Sequence, residues 1–233
     1  GGNNTALGTS ALQSNTTASY STAVGKNAAY STTTSSQGVT VVGSDALYQN
    51  TTGTDIVAMG RAALYNNTTG NNNVALGRSA LQSNTTASNN TAVGYHAAYS
   101  NTTGAANTAL GMQALYTNNT GANNVSVGVN SLYSNTTGGS NTALGRNALT
   151  SNTTASENTA VGYAASFYNT TGTENTSVGY KALEDNTTGN YNVAVGRLAL
   201  GNCTTGNSST AVGRLAGYSA TTGGANVFVG QSA

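Results

Sequence analysis

Apolar residues recur along this chain in one short pattern. A Thr or Val, a small residue, then a Leu, Val or Met stand directly before a Gly, as in Thr5-Ala6-Leu7-Gly8 and Val193-Ala194-Val195-Gly196. Alternation with β-branched residues marks a strand, here about four residues long. Fourteen such Gly run from Gly8 to Gly230, spaced by 17 residues except for a single 18 between Gly25 and Gly43. Three residues after the Gly comes Ala, with Ser131 as the one exception. Leu follows in most repeats and then an aromatic, as in Leu47-Tyr48, Leu64-Tyr65 and Leu115-Tyr116. The repeat closes on an Asn-Thr-Thr corner and a Gly, Ala or Ser suited to a tight turn.

Each repeat therefore predicts a strand, a Gly turn, a short Ala-Leu segment, a polar corner and a second turn. The Ala-Leu segment reads equally as a second strand or as one helical turn. One repeat carries too few apolar side chains for a core, but stacked coils can share one. The pattern predicts an all-β chain: a parallel β-solenoid, or β-roll, of about fourteen 17-residue coils spanning residues 1–233 as one array. At 4.8 Å per coil its length is about 65 Å. The β-branched positions are expected to face the core and the Ala between them to point away. A longer period lies on top: Ala11 to Ser19 recurs at Ala80 to Ser88 and, with Thr150 for the Gln, at Ala148 to Ser156, offsets of 69 and 68 residues. The array reads as blocks of four repeats copied in tandem.

Composition narrows the function. Charged residues are 6% of the chain and the net charge is +1, against about 25% charged in ordinary globular proteins. That gives no electrostatic footing for nucleic acid or an anionic membrane. No apolar run approaches the roughly 18 residues of a membrane helix. Cys203 is alone, so no disulfide forms within the chain. Both ends fall inside repeats, and the sequence reads as a segment of a longer product.

The motif Asn-Thr-Ala-Leu-Gly-x-x-Ala at Asn141 to Ala148, and Asn-Val-Ala-Val-Gly-Arg-Leu-Ala at Asn192 to Ala199, resembles the head repeats of trimeric autotransporter adhesins. The longer string ending in Ser-Asn-Thr-Thr-Gly is similar to repeats of phage tail fibres and bacterial surface proteins. The resemblance covers the whole chain and implies a β-roll, often trimeric, with Gly turns and Asn ladders stacked coil on coil. Head repeats of that family are shorter, and here the Leu-x-x-Asn-Thr-Thr-Gly portion is additional.

Candidate chemistry is sparse. His96 is the only His and occupies a variable position two residues after Gly94. Glu184 and Asp185 adjoin without a His or Cys column. Repeated calcium motifs and phosphate loops are missing. Enzymatic activity and a cofactor are therefore not expected. Two columns stand out instead. The residue after each turn Gly collects every Arg with several Tyr: Arg61, Arg78, Tyr95, Arg146, Tyr163, Tyr180, Arg197 and Arg214. This reads as a solvated ridge or as a binding stripe for glycans or a partner. The corner Asn begins an N-glycosylation sequon at Asn15, Asn50, Asn67, Asn84, Asn101, Asn118, Asn135, Asn152, Asn169 and Asn186. It reads as a glycan acceptor or as an amide ladder between coils. Ranked Thr also permits an ice-binding face, shared with the corner Asn. The expectation is a structural filament or fibre shaft outside the cell, on a cell surface or virion, with an adhesive role. Its expected partners are copies of itself, end to end or as a trimer, and surface glycans. Phe228 stands where Ala is expected to point outward, so it is expected to meet a neighbouring subunit.

Overall fold

Each repeat contributes one strand of three residues, and its partner is the strand one repeat further on. The computed structural model describes residues 1–33 and 37–233. Within them the chain divides into two compact units, Gly1–Thr120 and Gly121–Ala233. The first holds seven strands from β1 (Thr5–Leu7) to β7 (Thr108–Leu110), the second seven from β8 (Val125–Val127) to β14 (Val227–Val229). Inside each unit, successive strands pair in parallel and in register: Thr5 faces Thr22, and Ala160 faces Ser177. No helix occurs among the described residues. The fold is a parallel β-solenoid with one strand per repeat, as the period predicts. Thr34 and Ser35, members of the corner and small-residue columns in the 18-residue repeat, lie outside the described residues.

The strands face the other way from the expectation. The central Ala is the inward residue: Ala23, Ala58, Ala75, Ala92, Ala160 and Ala194 are all fully buried. The flanking residues point out, with Leu110 46% and Leu144 46% exposed. The reason is space. Leu47, Leu64, Leu81, Leu115 and their equivalents are completely buried, and they fill the core opposite the strand. A side chain larger than Ala beneath the strand would collide with that Leu layer.

Phe228 follows the same rule and corrects its own expectation. It sits in the Ala column, packs inward and covers the apolar cluster of Leu183, Leu200, Ala211 and Ala216. Its ring fits because Gly217 stands where other coils carry the buried Leu; a Cβ there would lie 2.6 Å from the Phe ring. Val41 is a milder case, fully buried in the Ala column while Ala29 replaces the Leu. Ser166 and Ser177 replace Leu and Ala together and bond to each other at 2.9 Å.

The Ala-Leu segment is neither strand nor helical turn. The second and fourth residues after the Gly have left-handed backbone: Ser79 at φ 57° and Leu81 at 51°, Lys181 at 53° and Leu183 at 52°. So does the fifth residue before it, as in Asn89 at 63° and Tyr191 at 60°. That conformation costs an L-residue about 1–2 kcal/mol. Burying a Leu returns about 1.5–3 kcal/mol. Its backbone stays satisfied: Leu81 donates its N–H to Ala97 O at 3.0 Å, and Leu81 O accepts from Asn84 N–H at 3.1 Å. The turn Gly is held by a harder constraint. Gly94 has φ +137°, and a Cβ on it would lie 2.5 Å from Gly111 O in the next coil.

Two substitutions test this backbone reading. Gly94→Ala combines a forbidden conformation with a clash and should lower unfolding stability by about 3 kcal/mol in a urea titration. Tyr191 is 56% exposed, so little burial offsets its left-handed backbone. Tyr191→Asn should therefore raise stability by about 0.5–1 kcal/mol; a loss instead would reject the strain argument.

Candidate functional site

Two columns of Asn run through the interior. In the first, the corner Asn of each coil donates Nδ2 to the Oδ1 of its copy one coil back. The links are Asn67 to Asn50 (2.9 Å), Asn84 to Asn67 (2.8 Å), Asn101 to Asn84 (3.1 Å) and Asn118 to Asn101 (2.7 Å). In the second unit they are Asn152 to Asn135 (2.9 Å), Asn169 to Asn152 (3.0 Å) and Asn186 to Asn169 (2.7 Å). The other Nδ2 hydrogen bonds the carbonyl three residues on, as from Asn84 to Ala87 O at 3.0 Å. All these Asn are completely buried. A glycan on such an amide would need a free N–H and an opening, and the ladder provides neither. Asn15, half-buried, stands apart: its Oδ1 has no partner, and the next corner residue is Thr32, whose buried hydroxyl also has none.

The second column precedes the strands and was not singled out as a ladder from the sequence. Here the Asn Oδ1 accepts the backbone N–H of the equivalent residue one coil on: Asn90 N–H to Asn73 (2.9 Å), Asn158 N–H to Asn141 (3.0 Å), Asn192 N–H to Asn175 (2.9 Å). Its Nδ2 reaches the same carbonyl that the corner Asn uses. Ala87 O thus receives both Asn84 and Asn73, and Gly172 O both Asn169 and Asn158. The sequence signal was present, since Asn stands four residues before most of the turn Gly.

The first corner Thr adds a third rung. Thr51 Oγ1 donates to Thr68 O at 3.0 Å, and Thr170 Oγ1 to Thr187 O at 2.9 Å. The second corner Thr is exposed, as at Thr86, Thr103 and Thr154. Corner Asn and second Thr therefore point to opposite sides, and the shared face imagined for ice does not form.

The stripe after the turn Gly lies fully on the surface. In the first unit Arg61, Arg78 and Tyr95 follow one another, with the Arg78 guanidinium 5.8 Å from the Tyr95 ring centre. In the second, Arg146, Tyr163, Tyr180, Arg197 and Arg214 occupy successive coils. Tyr163 stacks on Tyr180 at 5.3 Å, and the Arg197 guanidinium lies 5.5 Å from the Tyr180 ring centre. Beside the stripe runs a tyrosine column. Tyr30 stacks on Tyr48 at 4.9 Å, Tyr48 on Tyr65 at 5.1 Å, and Tyr99 on Tyr116 at 5.3 Å. Between Tyr65 and Tyr99 the column is interrupted by Gln82. A recess of about 400 Å³ opens there, lined by both Tyr and by Arg61, Arg78 and His96.

His96 is not a free loop residue. It stacks on Tyr95 at 3.8 Å, and burial followed by the nearby Arg78 charge holds its pKa below the usual value. Asp185 is pushed up by burial and then by Glu184, while Glu184 pairs with Lys181 at 2.8 Å. Cys203 is buried where the ladder would place Asn, its Sγ 4.0 Å from Gly206 O, and burial raises its pKa. Among the described residues no three of His, Cys, Asp and Glu stand close enough to share a metal ion, and no helix is long and apolar enough to cross a membrane.

No family model, no curated protein and no solved structure matches the chain.

The ladder makes opposite demands at two positions. Asn152→Ala removes two donated bonds and takes the acceptor from one buried N–H of Asn169, so stability should fall by about 4 kcal/mol. Cys203→Asn restores a rung to Asn186 and should raise it by about 1 kcal/mol. Chemical denaturation of both variants checks the pair. A neutral result for Asn152→Ala would mean that the ladder is not what holds the coils in register.

Proposed function

We propose that the chain is a structural repeat of an extracellular fibre, and that it associates laterally with copies of itself through the outward face of its strands. The observation that carries the reading is that face. Leu7, Met59, Leu110, Leu144 and Val212 are each more than 40% exposed, and the same position in every other strand is Val or Leu. The neighbouring outward position is Thr or Val throughout. Isolated exposed aliphatics are ordinary, but a rank that continues from strand to strand is the kind of patch that marks an interface.

Periodicity selects the occupant. The face repeats once per coil, about every 4.8 Å. A partner must match that spacing strand after strand to bury it, and a second copy does so by construction. The low charge removes a repulsive term between copies. A trimer is the arrangement favoured by the resemblance to autotransporter adhesin heads, and the placement outside the cell, on a cell surface or virion, rests on that same resemblance. Surface glycans are the second class of partner, and the recess beside Gln82 is what favours it.

Sedimentation at micromolar concentration, with electron microscopy of the same sample, tests the reading. The parent chain should sediment as an oligomer, with three copies expected. Val93→Lys together with Val161→Lys places a charge on each unit's face and should give monomers with unchanged circular dichroism. A parent chain that stays monomeric, or a double variant that still associates, rejects it.

A further inference from the structure

The tyrosine column is missing one rung. Tyr30, Tyr48 and Tyr65 stack on consecutive coils, as do Tyr99 and Tyr116. The coil between these runs carries Gln82. Tyr65 and Tyr99 are thus two coils apart, about 9.6 Å at one strand spacing per coil. A single ring inserted halfway would lie about 5 Å from each, within the range in which aromatic faces stack. The gap belongs to the recess of about 400 Å³ beside the Arg stripe, a size ordinary for a small-ligand site.

The polar groups around the gap are unevenly placed. Arg78 is on the same coil as Gln82, and Arg61 on the coil before it. Arg61 and Arg78 are both exposed, with the Arg78 guanidinium 5.8 Å from the Tyr95 ring centre. Asp45 stands one coil beyond Arg61, at the far end. Its carboxylate accepts from Asn27 Nδ2 and Ser44 Oγ, both at 2.8 Å. A negative group is therefore favoured at the Arg78 end and disfavoured toward Asp45. Gln82 offers both a donor and an acceptor at the level of the inserted ring.

From these placements we propose that the recess binds one pyranose residue bearing a carboxylate, its ring held between the faces of Tyr65 and Tyr99 and its carboxylate by Arg61 and Arg78. A sugar ring is thick enough to fill a missing tyrosine rung, and its C–H faces suit aromatic walls. Its hydroxyls meet Gln82 and the buried Ser79 in the wall of the recess. A flat anion without a ring would use the arginines and leave the slot empty; a neutral sugar would use the slot and leave the arginines unpaired. The Arg78 guanidinium would swing from Tyr95 toward Arg61 to share the carboxylate, and the charge-assisted bonds of the pair would discriminate between them.

The test is calorimetric titration of the intact chain with methyl glucuronide, methyl glucoside and acetate, with the ring signals of Tyr65 and Tyr99 followed by NMR. The glucuronide should bind with a dissociation constant of about 1 mM, as expected of a single sugar, and shift both rings. The glucoside should bind at least about tenfold more weakly, a difference of about 1.4 kcal/mol, and acetate should leave the rings unmoved. Gln82→Tyr refills the column and should abolish binding while raising the thermal midpoint. Arg61→Gln and Arg78→Gln, on the exposed rim where folding is not at stake, should each weaken the glucuronide at least about tenfold, again about 1.4 kcal/mol. Equal affinity for glucoside and glucuronide, undiminished binding by Gln82→Tyr or by both Arg variants, or no ring shift at tens of millimolar glucuronide would each overturn the proposal. The recess lies within a single chain, so these outcomes do not depend on whether the chain associates with copies of itself.

Discussion

A buried amide needs two acceptors for its hydrogens and a donor for its oxygen, and in a core of Ala and Leu it has nowhere to find them except on other amides. The corner Asn meets that need only if the next coil places its own Asn one strand spacing away. This fixes the length of the coils that carry the ladder, and the one 18-residue spacing falls where Thr32 stands in place of the corner Asn. A coil one residue longer, without compensation, would carry its amide off the column and leave it unpaired, at about 1–3 kcal/mol for each group. The pre-strand Asn ties the same carbonyl from the other side, as Asn84 and Asn73 do at Ala87 O. Strand register, turn position and corner are therefore set by one lattice rather than separately.

That lattice explains backbone features that would be odd elsewhere. Leu in a left-handed conformation is uncommon, yet most coils here use it. The chain must reverse within a few residues and still aim a large side chain inward, and the burial of that side chain exceeds the cost of the conformation. The volume under the strand is then what remains. Where it is spent differently, both sides change together, as with Phe228 over Gly217 and Val41 beside Ala29.

The period, the parallel pairing and the strand positions were legible because each is a statement about spacing. Which side of the strand faces inward was not. Period-two alternation places Thr5 and Leu7 on one face and Ala6 on the other, and the usual preference for burying the larger residues chose the wrong one. The volume argument that reverses it needs the Leu layer, whose direction depends on a backbone conformation that propensity argues against. The corner Asn was legible as a choice between ladder and glycan acceptor, and burial separates the two. Gln82 was visible as a break in an aromatic column, but a break becomes a recess only once the column is known to be a stack.

Stacking also accounts for the unusual composition. In such an array a residue's nearest neighbour is its own copy, so a residue type is favoured according to how well it tolerates itself. Asn bonds to Asn, the Thr hydroxyl to the next Thr carbonyl, and Tyr stacks on Tyr. A charged residue repeated in a column would face its like at about 4.8 Å, costing about 1 kcal/mol per pair even in water. Charge is accordingly scarce. The cationic ridge is solvated, with at most two Arg on successive coils (Arg61 and Arg78, Arg197 and Arg214) before a Tyr or another uncharged residue intervenes, and the planar guanidinium can lie over a ring, as Arg197 does over Tyr180. By the same logic a column that stops matching itself exposes contacts its neighbours were built to make. Tyr65 and Tyr99 both line the recess beside Gln82, with His96 4.8 Å from the Tyr99 ring, so the side chain that cannot stack marks the place where the column opens.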